Sequence, residues 1–201
     1  MEATPVQTNT NTDLDFTEFV NETRKKYKGR NGRRESKNYI PPHEVDGYWP
    51  EPKIRTALKT YKPRLVGDPH TIKTQYLLIF STLVYIGKCS WISHFMRYRL
   101  SDNWFPLETR PEPALKGPIY DDLWNKLYRA QWMFFPLVFR GRFELTNVRL
   151  TPDHVLPFQE EQVLKRGDAA QISLIQIDES CNESDQVGLP SRSLPYWSDA
   201  G

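Results

Sequence analysis

The longest apolar run of the chain, YLLIFSTLVYI at residues 76–86, constrains the fold most, because so much apolar surface must be buried. It is 11 residues long, whereas a helix needs roughly 20 apolar residues to cross a bilayer, so we expect a buried helix and no membrane span. Asp68 suits an N-cap, Pro69 suits the first helical turn, and Gly87 suits the end. The pattern predicts a central helix from about Asp68 to Ile86.

Four other segments place apolar residues at helical spacing, and each is short enough to form one amphipathic helix. They are residues 13–27, 51–61, 90–100 and 118–135. In the last segment, one face is predicted to carry Ile119, Leu123, Leu127 and Gln131. We therefore expect the part of the chain before residue 136 to be helical.

After residue 141 the spacing changes towards the two-residue alternation of strands. Val163 lies on one side of a possible turn, and the other side carries Ile172, Leu174, Ile175 and Ile177. The predicted fold class is therefore mainly α: a small helical bundle with a short C-terminal β-hairpin and disordered ends.

Polarity and proline content set the predicted boundaries. A mean hydropathy of −0.65 and 16 prolines are too polar and too interrupted for a chain that folds from end to end. We predict a disordered lead at 1–12, a short helix at 13–27, a basic, proline-rich linker at 28–50, a helical domain at 51–140, a β segment at 141–178 and a disordered tail at 179–201.

The formal net charge of +2 conceals one strongly basic segment, residues 24–37. Its eight bases face a single acid, Glu35, and are Arg24, Lys25, Lys26, Lys28, Arg30, Arg33, Arg34 and Lys37. Such a segment is typical of nucleic-acid backbone binding, of a nuclear-import signal or of a solvated linker. Tyr27 is its one aromatic residue, so stacking on bases, and with it sequence-specific recognition, is not expected.

No metal site, cofactor or catalytic residue is predicted. The four histidines are too far apart for a helical ligand pair, and Cys89 and Cys181 lack the spacing of metal ligands. The chain contains no GxSxG nucleophile motif. The N-terminal MEATPVQTNT lacks the basic and apolar regions of a signal peptide, so we expect an intracellular protein, cytoplasmic or nuclear, with reduced thiols.

Several phrases of apolar, tryptophan and proline residues resemble a known family. They are NYIPPHEV, EPKIRTAL, QYLLIFSTLVYIGKCSWISHFMRYRLSDNWFPL, RAQWMFFPLVF and VLPFQEEQVLKRGDAAQISLIQID. Together they resemble the region of fungal protein-kinase-like proteins that precedes the kinase domain and then enters it, over residues 38–178. The resemblance implies a helical module, then an LPF phrase, then the first strand and glycine-rich loop of a kinase.

The glycine loop of kinases follows the pattern GxGxxGxV, because glycines let backbone N–H groups approach the ATP phosphates. The resemblance places its three glycines at Lys165, Gly167 and Ala170 and its valine at Ile172. One of the three is glycine here. No VAIK-like, HRD or DFG motif follows, and 23 residues remain after Asp178. We therefore expect no enzyme activity and no nucleotide cofactor.

The function predicted from the sequence is a non-catalytic helical module for interaction or regulation, with an unidentified protein partner. One alternative is a fragment of a protein kinase, because ATP binding and Ser/Thr phosphorylation belong to the full-length family. The other is a basic, nuclear protein that associates with nucleic acid through residues 24–37.

Overall fold

A computed structural model describes residues 11–61, 68–139, 150–166, 170–182 and 194–199. It divides the chain into two compact units, which consist of residues 1–23 with 42–135 and of residues 24–41 with 136–201. Helices dominate the first unit and antiparallel strands the second, which confirms the predicted mainly α fold class with a C-terminal β element. The predicted lead, 1–12, lies outside the described residues except for its last two residues, which begin the first helix.

The described residues form seven α-helices. They are α1 (Asn11–Lys26), α2 (Pro42–Tyr48), α3 (Glu51–Tyr61), α4 (Pro69–Gln75), α5 (Leu77–Tyr85), α6 (Ile92–Arg97) and α7 (Asp121–Phe134). Short 3-10 turns at Cys89–Trp91, Asp102–Trp104 and Pro118–Tyr120 precede or follow them. None of the described helices is both long and apolar enough to span a membrane.

Helix α5 is the centre of the first unit, as its apolar run predicts. Most of its side chains are buried, among them Ile79, Phe80 and Leu83. It ends where predicted, because Gly87 adopts a φ of +67° and Lys88 N–H donates to the carbonyl of Leu83 at 2.7 Å, the closure typical of a helix C-terminus.

The single helix predicted over 68–86 is in fact two helices, α4 and α5, separated at Tyr76. Asp68 caps α4 as expected, accepting from His70 and Thr71 N–H. The break follows from Asp102, whose carboxylate accepts from the backbone N–H of Leu78 at 3.0 Å and of Ile79 at 2.9 Å. A side chain from the 3-10 turn at Asp102–Trp104 therefore caps α5 and starts it as a new helix.

An aromatic layer completes the core of this unit. Trp49 at the end of α2 is fully buried, and its ring lies 5.2 Å from Phe16 of α1 and 5.1 Å from Phe80 of α5, measured between centroids. Phe16 also lies 6.1 Å from Phe134 of α7. Aromatic pairs at these separations stabilise a core beyond the area that they bury.

The segment between α6 and α7 is fixed by side chains rather than by regular structure. Gln131 donates to the carbonyl of Leu107 and accepts from its N–H, both at 2.8 Å. Leu123, Leu127 and Gln131 are buried along one face of α7, as predicted. Ile119 is 68% exposed, contrary to prediction, because it lies in the 3-10 turn before α7 and does not follow the α-helical period.

The second unit contains two antiparallel sheets. Strands β1 (Lys28–Arg30) and β2 (Ser36–Asn38) form a hairpin, and β3 (Phe158–Arg166), β4 (Ala170–Ile177) and β5 (Leu194–Asp199) form a sheet in that order. The predicted strand, turn and strand are confirmed in β3 and β4, while the turn residues 167–169 lie outside the described residues. A small core contains Phe139, Leu156, Phe158 and Ile175.

Two segments predicted to lack regular structure contain it. The predicted linker, 28–50, includes the β1–β2 hairpin and α2. The predicted tail, 179–201, includes a 3-10 turn at Glu179–Cys181, and strand β5, which pairs with β4. Both depend on partners distant in sequence, which local composition does not reveal.

A buried carboxylate holds the end of β4. Asp178 is 2% exposed and accepts hydrogen bonds from the Tyr39 hydroxyl at 3.2 Å, the Gln159 amide at 3.1 Å and the Ser180 hydroxyl at 2.6 Å. Burial, with the negative charge of Asp178 beside it, raises the pKa of the Tyr39 hydroxyl, so Tyr39 stays protonated and donates.

The capping carboxylate of Asp102 predicts a pH dependence of stability. Burial raises its pKa to about 7, although hydrogen bonds from Leu78, Ile79 and Leu77 N–H act in the opposite direction. The folded protein then keeps a proton that the unfolded chain releases near pH ~4. The free energy of unfolding should therefore fall as pH rises from about 4 to about 7.

The measurement is chemical denaturation of wild type and Asp102→Asn at several pH values from 4 to 8. Asparagine keeps an oxygen that accepts from one N–H but does not titrate. The stability difference between the two proteins should favour wild type most at the acid end and shrink towards neutral pH. Parallel profiles for the two proteins would contradict this assignment.

Candidate functional sites: a glycine-poor hairpin and a cationic hairpin

The positions that the sequence analysis compared with a kinase glycine loop lie at the closed end of the β3–β4 hairpin. Lys165 pairs with Ile172, and Arg166 pairs with Gln171. The structure thus brings together the positions of the first loop glycine and of the loop valine. Lys165 is exposed. Gly167 lies outside the described residues, as do the side chains of Ala170 and Ile172.

This hairpin lacks two features that a phosphate cradle needs. Side chains at Lys165 and Ala170 add a Cβ atom at two positions where the backbone of a glycine loop approaches phosphate. The strand next to β4 is β5, with the sequence LPYWSD, and it holds no lysine that could pair with phosphates as the lysine on the third kinase strand does. Two of the three loop positions therefore carry a side chain where the kinase pattern has glycine, and strand β5 beside β4 carries no lysine.

The second candidate site is formed by the eight bases of residues 24–37, which we call the cationic platform. It consists of the last turn of α1 and the β1–β2 hairpin. Arg24 is partly buried and the other seven are exposed. The structure brings all eight predicted residues onto ordered, adjacent elements of the second unit.

Asn31 organises the loop of this hairpin. Its Oδ1 accepts from Arg33 N–H at 2.9 Å and from Glu35 N–H at 2.8 Å, while its Nδ2 donates to the Glu35 carboxylate at 2.8 Å. Asn31 is 1% exposed. The loop therefore has a fixed shape that holds Arg33 and Arg34 at its tip. Glu35, the one acid of residues 24–37, is bound to Asn31.

Two glycines hold the hairpin against residues 150–156. A Cβ at Gly29 would overlap the Leu156 carbonyl oxygen, and one at Gly32 would lie 2.8 Å from that of Thr151. Arg30 and Leu156 exchange two backbone hydrogen bonds, of 2.9 and 2.7 Å. This close approach of backbone to backbone fixes the position of the hairpin within its unit.

The charges of the platform are little neutralised. Arg30 Nε lies 3.4 Å from the Glu161 carboxylate. Among the residues that the structure describes, no ion pair is formed by Lys26, Lys28, Arg33, Arg34 or Lys37. Concentrated positive charge on an ordered surface raises the local potential and attracts polyanions.

Neither cysteine is placed for nucleophilic chemistry. Cys89 and Cys181 are both buried, and burial together with the negative charge of Asp178 raises the pKa of the Cys181 thiol to about 12. A thiol of this kind is almost entirely protonated at neutral pH and is a poor nucleophile. In the part of the chain that the structure describes, no group of three or more His, Cys, Asp or Glu side chains is arranged to hold a metal ion.

Sequence reasoning found the bases but missed the residues that position them, Asn31, Gly29 and Gly32. A signal was present, because Asn-Gly at residues 31–32 is a frequent turn dipeptide in hairpins. The flanking segments are short and polar, and they lack the alternating apolar residues that normally identify strands.

No protein-family model, no curated protein and no solved structure matches this chain.

The close approach at Gly29 predicts a large effect of a single methyl group. Gly29→Ala should lower the free energy of unfolding by more than about 2 kcal/mol, since the new Cβ meets the Leu156 backbone and not a movable side chain. Gly47→Ala is the matched control: Gly47 is in α2 with nothing within 4 Å of the added atom, so this change should stabilise by about 0.5–1 kcal/mol. Equal effects of the two changes in chemical denaturation would show that the hairpin is not held in this way.

Proposed function

We propose that this chain is a non-catalytic binding module whose binding surface is the cationic platform and whose ligand is polyanionic. The observation that carries the proposal is the loop of the β1–β2 hairpin, which Asn31 holds in one shape while Arg33 and Arg34 remain exposed at its tip. A flexible linker does not need hydrogen bonds that fix the positions of its charged side chains. A binding surface gains affinity from doing so, because less conformational entropy is lost when the ligand binds.

The chemistry of the platform favours phosphate, sulfate or clustered carboxylate groups. Arginine presents a planar fork of N–H donors that matches such anions, and lysine adds a compact charge. The protein partner expected from the sequence would, on this proposal, carry a run of acidic or phosphorylated residues. The nucleic-acid alternative uses the same surface.

Binding to heparin tests this proposal without requiring knowledge of the natural ligand. We expect wild type to bind, with an affinity that falls steeply as salt is raised, since each anionic contact releases counterions. Replacing Arg33, Arg34 and Lys37 by Gln should reduce the slope of log K against log salt by about three. Fluorescence titration over a range of salt concentrations measures both quantities.

A control variant of equal charge change isolates the platform from net charge. Arg55, Lys59 and Arg97 are exposed bases outside the platform, and replacing all three by Gln should leave the salt slope unchanged. If wild type does not bind heparin at low salt, or if the two triple variants weaken binding equally, the platform is not the binding surface.

The alternative function is that of a protein-kinase fragment. The β3–β4 hairpin supports it, because it lies at the positions to which the resemblance assigns the first strand and the glycine-rich loop of a kinase. The residues at the loop positions and the sequence of β5 weigh against nucleotide binding. The proposal therefore places ATP binding and phosphorylation outside what this chain does alone.

Thermal unfolding with Mg·ATP separates these two functions. We expect no change in Tm, whereas a ligand present at 100 times its Kd would add about 2.7 kcal/mol to the free energy of unfolding and shift Tm visibly. A saturable rise in Tm that Gly167→Val abolishes would restore nucleotide binding and favour the kinase fragment.

A further inference from the structure

We infer that the polyanion bound by the cationic platform is double-stranded DNA, with the β1–β2 hairpin entering the major groove by its tip. This inference rests on the proposed function and names the ligand of the same surface. It uses three observations: the two-stranded form of the hairpin, the composition of its loop, and the edge that it leaves open.

The first observation is the size of the hairpin. Paired strands lie about 4.8 Å apart, and the major groove of B-DNA is about 12 Å wide and admits a two-stranded ribbon. The strands pair Lys28 with Asn38 and Arg30 with Ser36, so the ribbon is short and its tip carries Arg33 and Arg34. The lysine and arginine side chains on either side of the tip would then lie beside the two phosphate backbones that border the groove.

The second observation is composition. From Lys28 to Asn38 the sequence is KGRNGRRESKN, which contains no apolar side chain. Amphipathic elements that lie in a membrane interface bury apolar side chains in the lipid in addition to using basic ones, and this hairpin offers only the electrostatic part of that binding. The two arginines at its tip, by contrast, can reach base edges and phosphates in a groove.

The third observation is which side of the hairpin is exposed to solvent and can therefore contact a ligand. The outer edge of β1 is occupied, because Arg30 exchanges two backbone hydrogen bonds with Leu156. The three residues of β2 and the loop residues 32–35 are exposed. The accessible surface is therefore the tip together with the β2 side, which includes Lys37.

Asn31 has the role of a positioning residue in this inference. A rigid hairpin suits a ligand of fixed geometry, such as a duplex, more than a flexible acidic peptide, which would adapt equally well to mobile charges. The major groove of an RNA duplex is deep and narrow and is not read by side chains. A preference for DNA over RNA therefore reports entry into the groove rather than attraction alone.

The test uses fluorescence anisotropy with a 24-base-pair DNA duplex, an RNA duplex of the same sequence, poly-glutamate and vesicles containing phosphatidylserine. We expect the full chain to bind the DNA duplex with a Kd on the order of micromolar near physiological salt. RNA, poly-glutamate and vesicles should each bind more weakly. The variant with Gln at Arg33, Arg34 and Lys37 should lose affinity for DNA by at least about tenfold, whereas the variant with Gln at Arg55, Lys59 and Arg97 should not.

Asn31→Ala distinguishes an ordered hairpin from a charged tail, because it leaves the net charge unchanged. It should weaken DNA binding by about fivefold. The double variant Asn31→Asp with Glu35→Gln keeps the net charge and lets the new Gln donate to the new Asp, so it should restore binding. Thermal unfolding of each variant shows that the chain is still folded, and Gly47→Ala serves as a folded reference.

The following results would contradict the inference that the hairpin enters the major groove of DNA. Wild-type affinity in Asn31→Ala, or binding of RNA, poly-glutamate or vesicles as tight as that of DNA, would overturn the inference. The proposed function would survive those results if heparin binding still depended on Arg33, Arg34 and Lys37. Failure to bind any of these polyanions at low salt would remove both.

Discussion

The hydrogen bonds from the start of α5 to Asp102 are the interaction on which the first unit depends. A helix begins with N–H groups that have no partner within the helix, and α5 begins inside the apolar core. An N–H group that is buried there without a hydrogen-bond acceptor would destabilise the fold by about 1–3 kcal/mol. Asp102 supplies acceptors to Leu78 and Ile79, and this allows the most apolar segment of the chain to lie at the centre.

The same requirement shapes other parts of the chain. Gln131 satisfies both backbone groups of Leu107 in a segment without regular structure. Asn31 satisfies two N–H groups of the cationic loop, and Asp178 accepts from groups on three segments of the second unit. In these irregular segments, buried polar side chains therefore supply the hydrogen-bond partners that backbone groups find within helices and sheets elsewhere.

The functional proposal follows from this use of buried polar groups. The bases of residues 24–37 would have little geometric meaning on a flexible chain, but Asn31, Gly29 and Gly32 fix the hairpin that bears several of them. The glycine-poor β3–β4 hairpin shows the converse: the strands form, yet the residues at the loop positions do not suit a phosphate cradle. Binding by charge on an ordered ribbon is thus the better supported of the two chemistries.

The sequence by itself determined the features that depend on local physics. The apolar run at 76–86 required burial, Gly87 indicated a helix end, and the apolar residues from Val163 to Ile177 indicated a strand, a turn and a strand. The alternation predicted just after residue 141 lies outside the described residues up to residue 149. The eight bases are visible as composition. Tertiary structure decided whatever depends on partners far along the chain: the break at Tyr76 made by Asp102, the exposure of Ile119, the pairing of β5 with β4, and the hairpin held by Leu156. The physical reason is that a hydrogen bond or a close backbone contact between distant residues leaves no periodic signal in the residues that form it.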